Sequence, residues 1–310
     1  MKLKRKIAEF TGKNKGPLFL CVAGMHGNEH AGIKAIELMQ MMLEVEPITN
    51  PEFEFNGRFV GMVGNVKASK KDVRFLVKDI NRQWNYQNLD RIFHTPEKDL
   101  DPEDQEVKEL WVAVNMEIQA YQPELLVFLD LHTTSAYGGI YSITPEDPES
   151  IQVAQAITAP VVRGLLEGVS GTTLHFFNTK NLGVKTISIC FESGQHAEAL
   201  SINRAIAAIV SCMKAVGSVK SSDVENQHDN ILSEYSTNLP KVTKVVYHHP
   251  ITSTDEFVMK PGYTNFQPIK KSEHLADDKK GKVLSPMDGR ILMPLYQKLG
   301  SDGFFIVQDC

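Results

Sequence analysis

Leu18-Phe-Leu-Cys-Val-Ala23, running into Gly24-Met25-His26-Gly27-Asn28-Glu29, is the stretch that decides the fold. A short apolar run closed by a glycine-rich polar turn reads as a strand buried on both faces. The same pattern occurs twice more. Leu125-Leu-Val-Phe-Leu129 leads into Asp130-Leu131-His132, and Thr186-Ile-Ser-Ile-Cys-Phe191 leads into Glu192-Ser193-Gly194. Such runs alternate with helical patterns from about residue 17 to 217, which specifies an α/β domain. In open α/β sheets ligands bind beyond the carboxyl ends of the strands, and His26, Glu29, His132 and Glu192 all fall there.

Outward from these strands, residues 31–43 carry Ile33, Ile36, Leu38, Met39, Met42 and Leu43 at helical spacing, and residues 58–66 read as a further strand. Residues 67–100 are polar and irregular, too long for a simple connection, and loops of that length tend to be functional. Asp101-Pro102-Glu103 opens a helix, with a capping side chain, a first-turn proline and an acidic residue near the positive end of the dipole. Residues 148–167 and 197–216 predict two more helices. From residue 218 the character changes. Residues 218–238 read as a polar linker; beyond it 241–247 and 256–259 alternate as strands, with turns at Pro261-Gly262, Asp288-Gly289 and Asp302-Gly303. The expected organisation is a catalytic α/β domain over 1–217, a linker over 218–238 and a small all-β domain over 239–310.

Composition narrows the function. Hydrophobic content of 42% and charged content of 23% are ordinary for a globular protein. A net charge of −5 without a basic stripe argues against nucleic acid as partner; the cluster from Lys2 to Lys6 is short and solvated. No run approaches the roughly 20 apolar residues that span a bilayer, and no apolar stretch of a signal peptide opens the chain, so neither a membrane nor secretion is expected. Cys21, Cys190, Cys212 and Cys310 are far apart and form no CxxC pair. Free thiols in a reduced, cytoplasmic setting follow as the expectation.

The chemistry lies in the polar motifs. Gly24 and Gly27 let the backbone bend so that His26 and Glu29 converge, and His132 ends the most hydrophobic strand. Two imidazoles and a carboxylate hold zinc with a position left for water, and a further carboxylate, Glu192, serves as general base. A carboxylate after a buried strand is partly desolvated, which raises its pKa towards the range useful for proton transfer. The long loop adds Arg74, Asp79, Asn81 and Arg82. Asn81 and Arg82 suit a substrate carboxylate, Arg74 a developing oxyanion, and Asp79 the orientation of a ligand histidine. Of the other histidines, His196 is the one expected to lie near the site.

The ordered set of Gly24-Met-His26-Gly-Asn-Glu29, Arg74 with Asn81-Arg82, Asp130-Leu-His132 and Phe191-Glu192-Ser-Gly resembles the succinylglutamate desuccinylase/aspartoacylase family, relatives of the zinc carboxypeptidases. Residues 261–270 and 285–294 are similar to that family's C-terminal β domain. The resemblance implies a carboxypeptidase-like mixed sheet flanked by helices, with one zinc held by His26, Glu29 and His132. Glu192 would activate water and pass its proton to the leaving amine, Arg74 would polarise the carbonyl, and Asn81 with Arg82 would bind substrate. The implied reaction hydrolyses a small anionic N-acyl amino acid, with succinyl, acetyl or a related acyl group. Oligomeric state stays open, a homo-oligomer included.

Two family features are missing. A further arginine about ten residues before the glutamate is replaced near Leu182, with Lys180 and Lys185 as the nearby cations. A pocket tyrosine from the C-terminal domain is matched by Ile269, with Tyr263 close by. Both touch substrate choice, not the zinc machinery. A peptide-cleaving zinc carboxypeptidase is the rival enzyme. A carrier role, from the similarity of Ser285-Pro-Met-Asp-Gly-Arg-Ile-Leu292 to biotin- and lipoate-bearing barrels, lacks the lysine that modification needs. A zinc-binding protein without catalysis is opposed by the presence of both Glu192 and Arg74.

Overall fold

The computed structural model describes residues 3–223 and 227–310. Lys2 of the basic cluster and residues 224–226 of the expected linker lie outside the described residues. In chain order the strands are β1 (Lys6–Thr11), β2 (Asn14–Ala23), β3 (Asn56–Val63), β4 (Leu125–Thr134), β5 (Tyr141–Ile143), β6 (Val161–Arg163), β7 (Lys185–Gln195), β8 (Val242–Pro250), β9 (Val258–Met259), β10 (Pro268–Ile269), β11 (His274–Asp278), β12 (Gly281–Leu284), β13 (Gly289–Leu292) and β14 (Asp302–Asp309). Eleven of them form one mixed sheet in the order β1-β3-β2-β4-β7-β5-β6-β8-β14-β13-β10, and β12-β11-β9 form a small antiparallel sheet. The centre, β3-β2-β4-β7, is parallel, as the buried apolar runs require. β8 pairs in parallel with β6, so the C-terminal strands continue the same sheet.

Alternation along the central strands sorts their side chains into two layers. Phe19, Cys21 and Ala23 of β2, Val127, Leu129 and Leu131 of β4, and Ile187, Ile189 and Phe191 of β7 join one core with helices His30–Thr49 and Leu200–Ala215. Leu18, Leu20 and Val22 of β2 with Leu126 and Phe128 of β4 join the other, against helix Pro102–Tyr121, Trp84 and Phe177. Phe128 stacks on Phe177 with centroids 4.3 Å apart and planes within 6°. Asp130 and His132 share the parity of Leu126 and Phe128, and Glu192 shares that of Ser188 and Cys190. These polar residues therefore extend the second layer beyond the end of its apolar core, where loops 74–82 and 165–177 cover the sheet.

Helix Pro102–Tyr121 begins as its sequence dictates: the Asp101 side chain accepts from the Asp104 amide, and Pro102 occupies the first turn. Three expected elements differ. The helix expected over 148–167 stops at Ala156, because Thr158 takes φ +61° and Pro160 cannot continue the hydrogen-bond ladder; β6 follows. The irregular loop 67–100 contains a helix, Tyr86–His94, capped by Asn85 and seated through Leu89 and Ile92. The stretch expected as a polar linker over 218–238 also carries a helix, Gln227–Ser236, which packs on helix Leu200–Ala215 with Leu232 buried in the first core. Among the described residues no helix is long and apolar enough to cross a membrane.

Candidate active site

After β2 the chain turns at Gly24, whose φ of +67° is left-handed, and then passes the 66–69 turn so closely that a Cβ on Gly27 would sit 2.2 Å from the Ala68 carbonyl carbon. Only glycine permits that approach. Gly27 also donates its amide to the Arg74 carbonyl at 3.1 Å, tying the long loop to this turn. The turn places His26 Nδ1 2.7 Å from Glu29 Oε1, and β4 brings His132 Nδ1 within 2.9 Å of Glu29 Oε2. His26, Glu29 and His132 are all buried, and their ligating atoms lie within 4.8 Å of one another. The Thr133 amide donates to Glu29 Oε2 at 3.1 Å and fixes the carboxylate.

The outer nitrogens of both imidazoles face carboxylates. His26 Nε2 is 3.2 Å from Asp79 Oδ1. His132 Nε2 is 3.2 Å from Asp130 Oδ2 without the alignment of a hydrogen bond, and Asp130 accepts from Thr173 Oγ1 at 2.6 Å. Carboxylates behind imidazoles orient metal-ligating histidines and raise their basicity. Two Nδ1 atoms and a carboxylate, backed in this way, are a donor set that fits zinc. Burial opposes charge on Glu29, but His26 and His132 outweigh it and hold its carboxyl well below the usual range. For Asp79 burial is likewise outweighed, by His26, Arg74 and Arg82.

Glu192 sits on β7 in register with His132, on the same side of the sheet. Its Oε2 is buried without a hydrogen-bond partner, and burial pushes the carboxyl up to about 7. Tyr141, opposite Glu192 on β5, is fully buried with its hydroxyl also unpartnered. Arg74 donates from Nη2 to Asp79 Oδ2 at 3.1 Å, while Nη1 stands 3.7 Å from Glu29 Oε1 and Nε is unpartnered. His26, Arg74, His132 and Glu192 line one cavity together with Asn81 and Arg82. All eight residues singled out in the sequence thus meet at one place.

Their partners refine the expectation for the loop. Asn81 Oδ1 accepts from the Thr173 amide at 2.9 Å. Arg82 donates from Nη1 to the Asn81 carbonyl at 2.8 Å and from Nη2 to Asp302 Oδ2 at 2.5 Å. His196, read as the remaining histidine nearest to the site, has Nδ1 2.7 Å from Thr133 Oγ1. Lys185 pairs with Glu149 on the surface, and the Tyr263 hydroxyl donates to Glu273; Ile269 is buried in the C-terminal core. Neither Lys185 nor Tyr263 lines this cavity, and Lys180 lines a separate one beside Glu146 and His175.

Three contributors escaped the sequence reading. Glu103, fully buried, accepts from the amides of Leu76 at 2.7 Å and Val77 at 3.0 Å and thereby holds the loop that carries Arg74 and Asp79. Its sequence signal was spent on helix capping. Asp130 was visible within its motif, but not its place behind His132. Asp302 carried only a turn signal, because its partner Arg82 is 220 residues away.

Comparison with known proteins gives the family and the fold. The sequence profile described as succinylglutamate desuccinylase/aspartoacylase catalytic domain matches residues 15–216. No curated protein matches. A succinylglutamate desuccinylase/aspartoacylase from Rhodobacter sphaeroides is similar in structure with a TM-score of 0.64 at 16% identity, covering 96% of this chain and 86% of that one. A succinylglutamate desuccinylase from Chromobacterium violaceum gives 0.62 at 16%, covering 99% and 94%. The ectoine utilization protein EutE (DoeB) from Ruegeria pomeroyi, in a product-bound structure, gives 0.62 at 15%, covering 97% and 87%. At these identities the structural likeness speaks for the fold.

Proposed function

Because the chain belongs to the succinylglutamate desuccinylase/aspartoacylase family, we propose that it is a zinc-dependent amidohydrolase that cleaves an N-acyl amino acid to a carboxylic acid and a free amine. The observation that carries the reading is the register of Glu192, buried with an unpartnered oxygen, with His132 across β4 and β7, in the cavity that His26 and His132 of the His26/Glu29/His132 cluster also line. His26, Glu29 and His132 would hold the ion. A bound zinc supplies Lewis acidity and lowers the pKa of water to about 7, which makes a nucleophile available at neutral pH.

The remaining roles belong to side chains. Glu192 accepts the proton of the attacking water at its free oxygen and later delivers it to the leaving nitrogen. Arg74, held by Asp79 and by the Glu103-braced loop, presents its guanidinium to the charge that develops on the carbonyl oxygen. Arg82 and Asn81 hold the substrate carboxylate, Arg82 through the donors that Asn81 and Asp302 leave over. Asp79 and Asp130 orient the histidines. In this reading 1–217 is the catalytic unit and 218–238 joins it to 239–310, which contributes Met293 and Asp302 to the cavity wall. Three buried free cysteines fit a reduced, cytoplasmic setting.

The test is amine release from N-acyl amino acids by the zinc-loaded protein, with two dipeptides in the panel. Turnover of an acyl amino acid supports the reading. Cleavage of the dipeptides alone replaces it with a carboxypeptidase.

A further inference from the structure

In the cavity that holds the candidate site each arginine already faces a carboxylate before any substrate enters. Among the described residues its only arginines or lysines are Arg74 and Arg82. Arg74 is matched by Asp79 at 3.1 Å and by Glu29 at 3.7 Å. Arg82 is matched by Asp302 at 2.5 Å, a residue supplied by the C-terminal strand β14. Asp302 is itself fixed: its other carboxylate oxygen lies 2.8 Å from His248 Nε2, and the His248 ring stacks on Phe305 with centroids 4.5 Å apart. β14 and β8 put His248 opposite Phe305 in register, so the carboxylate is presented to Arg82 from a rigid strand pair.

The rest of the wall is largely apolar, interrupted by Asp130, Thr172 and Thr173. Ile143, Leu165, Leu166, Val169, Leu174 and Phe305 line the same cavity. A carboxylate taken from water into such surroundings costs several kcal/mol unless a cation meets it. Arg82 has donors left for one carboxylate, but Asp302 cancels its charge, and no unmatched arginine or lysine remains for a second.

Resting on the deacylase reading, we propose that Asp302 is a specificity-determining residue which, by neutralising Arg82 beside an apolar wall, restricts the enzyme to N-acyl amino acids that bear a single carboxylate, with an apolar or neutral acyl group and side chain. Substrates with two carboxylates, whether the second lies on the acyl group or on the amino-acid side chain, are disfavoured by this chain. Asp302→Asn keeps the size of the side chain, removes its charge and returns the full charge of Arg82 to the cavity.

The experiment compares kcat and KM of the zinc-loaded full chain for N-acetylleucine, N-acetylaspartate and N-succinylleucine, in the wild type and in D302N. The wild type should favour N-acetylleucine over both dicarboxylates by about tenfold or more in kcat/KM, equivalent to about 1.4 kcal/mol. D302N should narrow that ratio by about tenfold, chiefly through a lower KM for the dicarboxylates. A wild type that prefers either dicarboxylate overturns the proposal and leaves the deacylase reading standing. A folded D302N with an unchanged ratio overturns it as well. Should D302N fail to fold, the wild-type ratio decides. Silence of the wild type on all three substrates with zinc bound overturns the deacylase reading, and the proposal falls with it.

Discussion

His132 and Glu192 are register partners on the adjacent parallel strands β4 and β7, so one step across the sheet separates a candidate metal ligand from the candidate base. Their side chains share a face because both positions have the same parity along strands whose other face is committed to the Val127–Ile189 core. A slip of one residue in either strand would turn one of them into that core. This candidate pair is therefore set by the same register that buries the apolar residues.

Glu192→Gln preserves this register and the volume of the side chain while removing the proton acceptor. We expect zinc content to match the wild type and kcat to fall by about 10²–10⁴-fold, the usual contribution of a positioned acid–base group. Metal analysis alongside steady-state kinetics checks this. Near-normal turnover in the variant would show that another group moves the proton.

Glu103 acts at a distance from the chemistry. Its buried carboxylate accepts from the partly buried Leu76 and Val77 amides and lies 3.3 Å from Asn65 Nδ2. Glu103→Ala leaves these donors without their partner, at a cost of about 1–3 kcal/mol for each one that water cannot reach. Thermal unfolding should register the loss, and kcat/KM should fall about tenfold or more as Arg74 and Asp79 lose their fixed position. A stable variant with full activity would mean that the loop is held by something else.

Acid stability offers a separate check on the same region. Asp104 accepts from Lys78 at 2.6 Å and from Arg91 at 2.8 Å. Burial pushes its carboxyl up, but the two cations outweigh it and hold the pKa below the usual value. A carboxylate depressed in the folded state stabilises fully above its unfolded pKa, about 3.9, and loses that contribution as pH falls through the lower folded value. Unfolding followed from about pH 5 downward should show a smaller acid-induced loss for Asp104→Asn than for the wild type, with the difference confined to pH below about 4. Parallel curves would remove Asp104 from the acid response.

How much of this could be read from the sequence follows from range. The central strands and the three motifs at their ends are local signals: apolar runs of strand length closed by glycine or by a charged residue. Helix Tyr86–His94 was hidden because Leu89 and Ile92 are its only buried residues, too few to show a period in a polar stretch. The helix expected to reach 167 ran too far because its apolar residues continue past Ala156 into β6, and Pro160 was not given its weight. The braces of the site were illegible for another reason. Glu103 with the 76–78 amides, Asp130 with Thr173 and Arg82 with Asp302 are tertiary pairs, and a carboxylate does not announce which distant donor it will meet.

The metal itself gives the last prediction. An ion that binds the folded chain and not the unfolded one stabilises by RT ln(1 + [L]/Kd), about 2.7 kcal/mol at a hundredfold excess over Kd. For a chain of this length that corresponds to a rise in Tm on the order of 5 °C. The wild type stripped by chelator should gain this shift when zinc is added. Glu192→Gln should gain it as well, since Glu192 lies outside the His26/Glu29/His132 cluster. His132→Ala should not, because two donors remain where zinc in such a site takes three from the protein. The three proteins together separate binding from catalysis. A zinc-dependent shift that survives in His132→Ala would place the ion elsewhere, and its absence from Glu192→Gln would make the base a ligand.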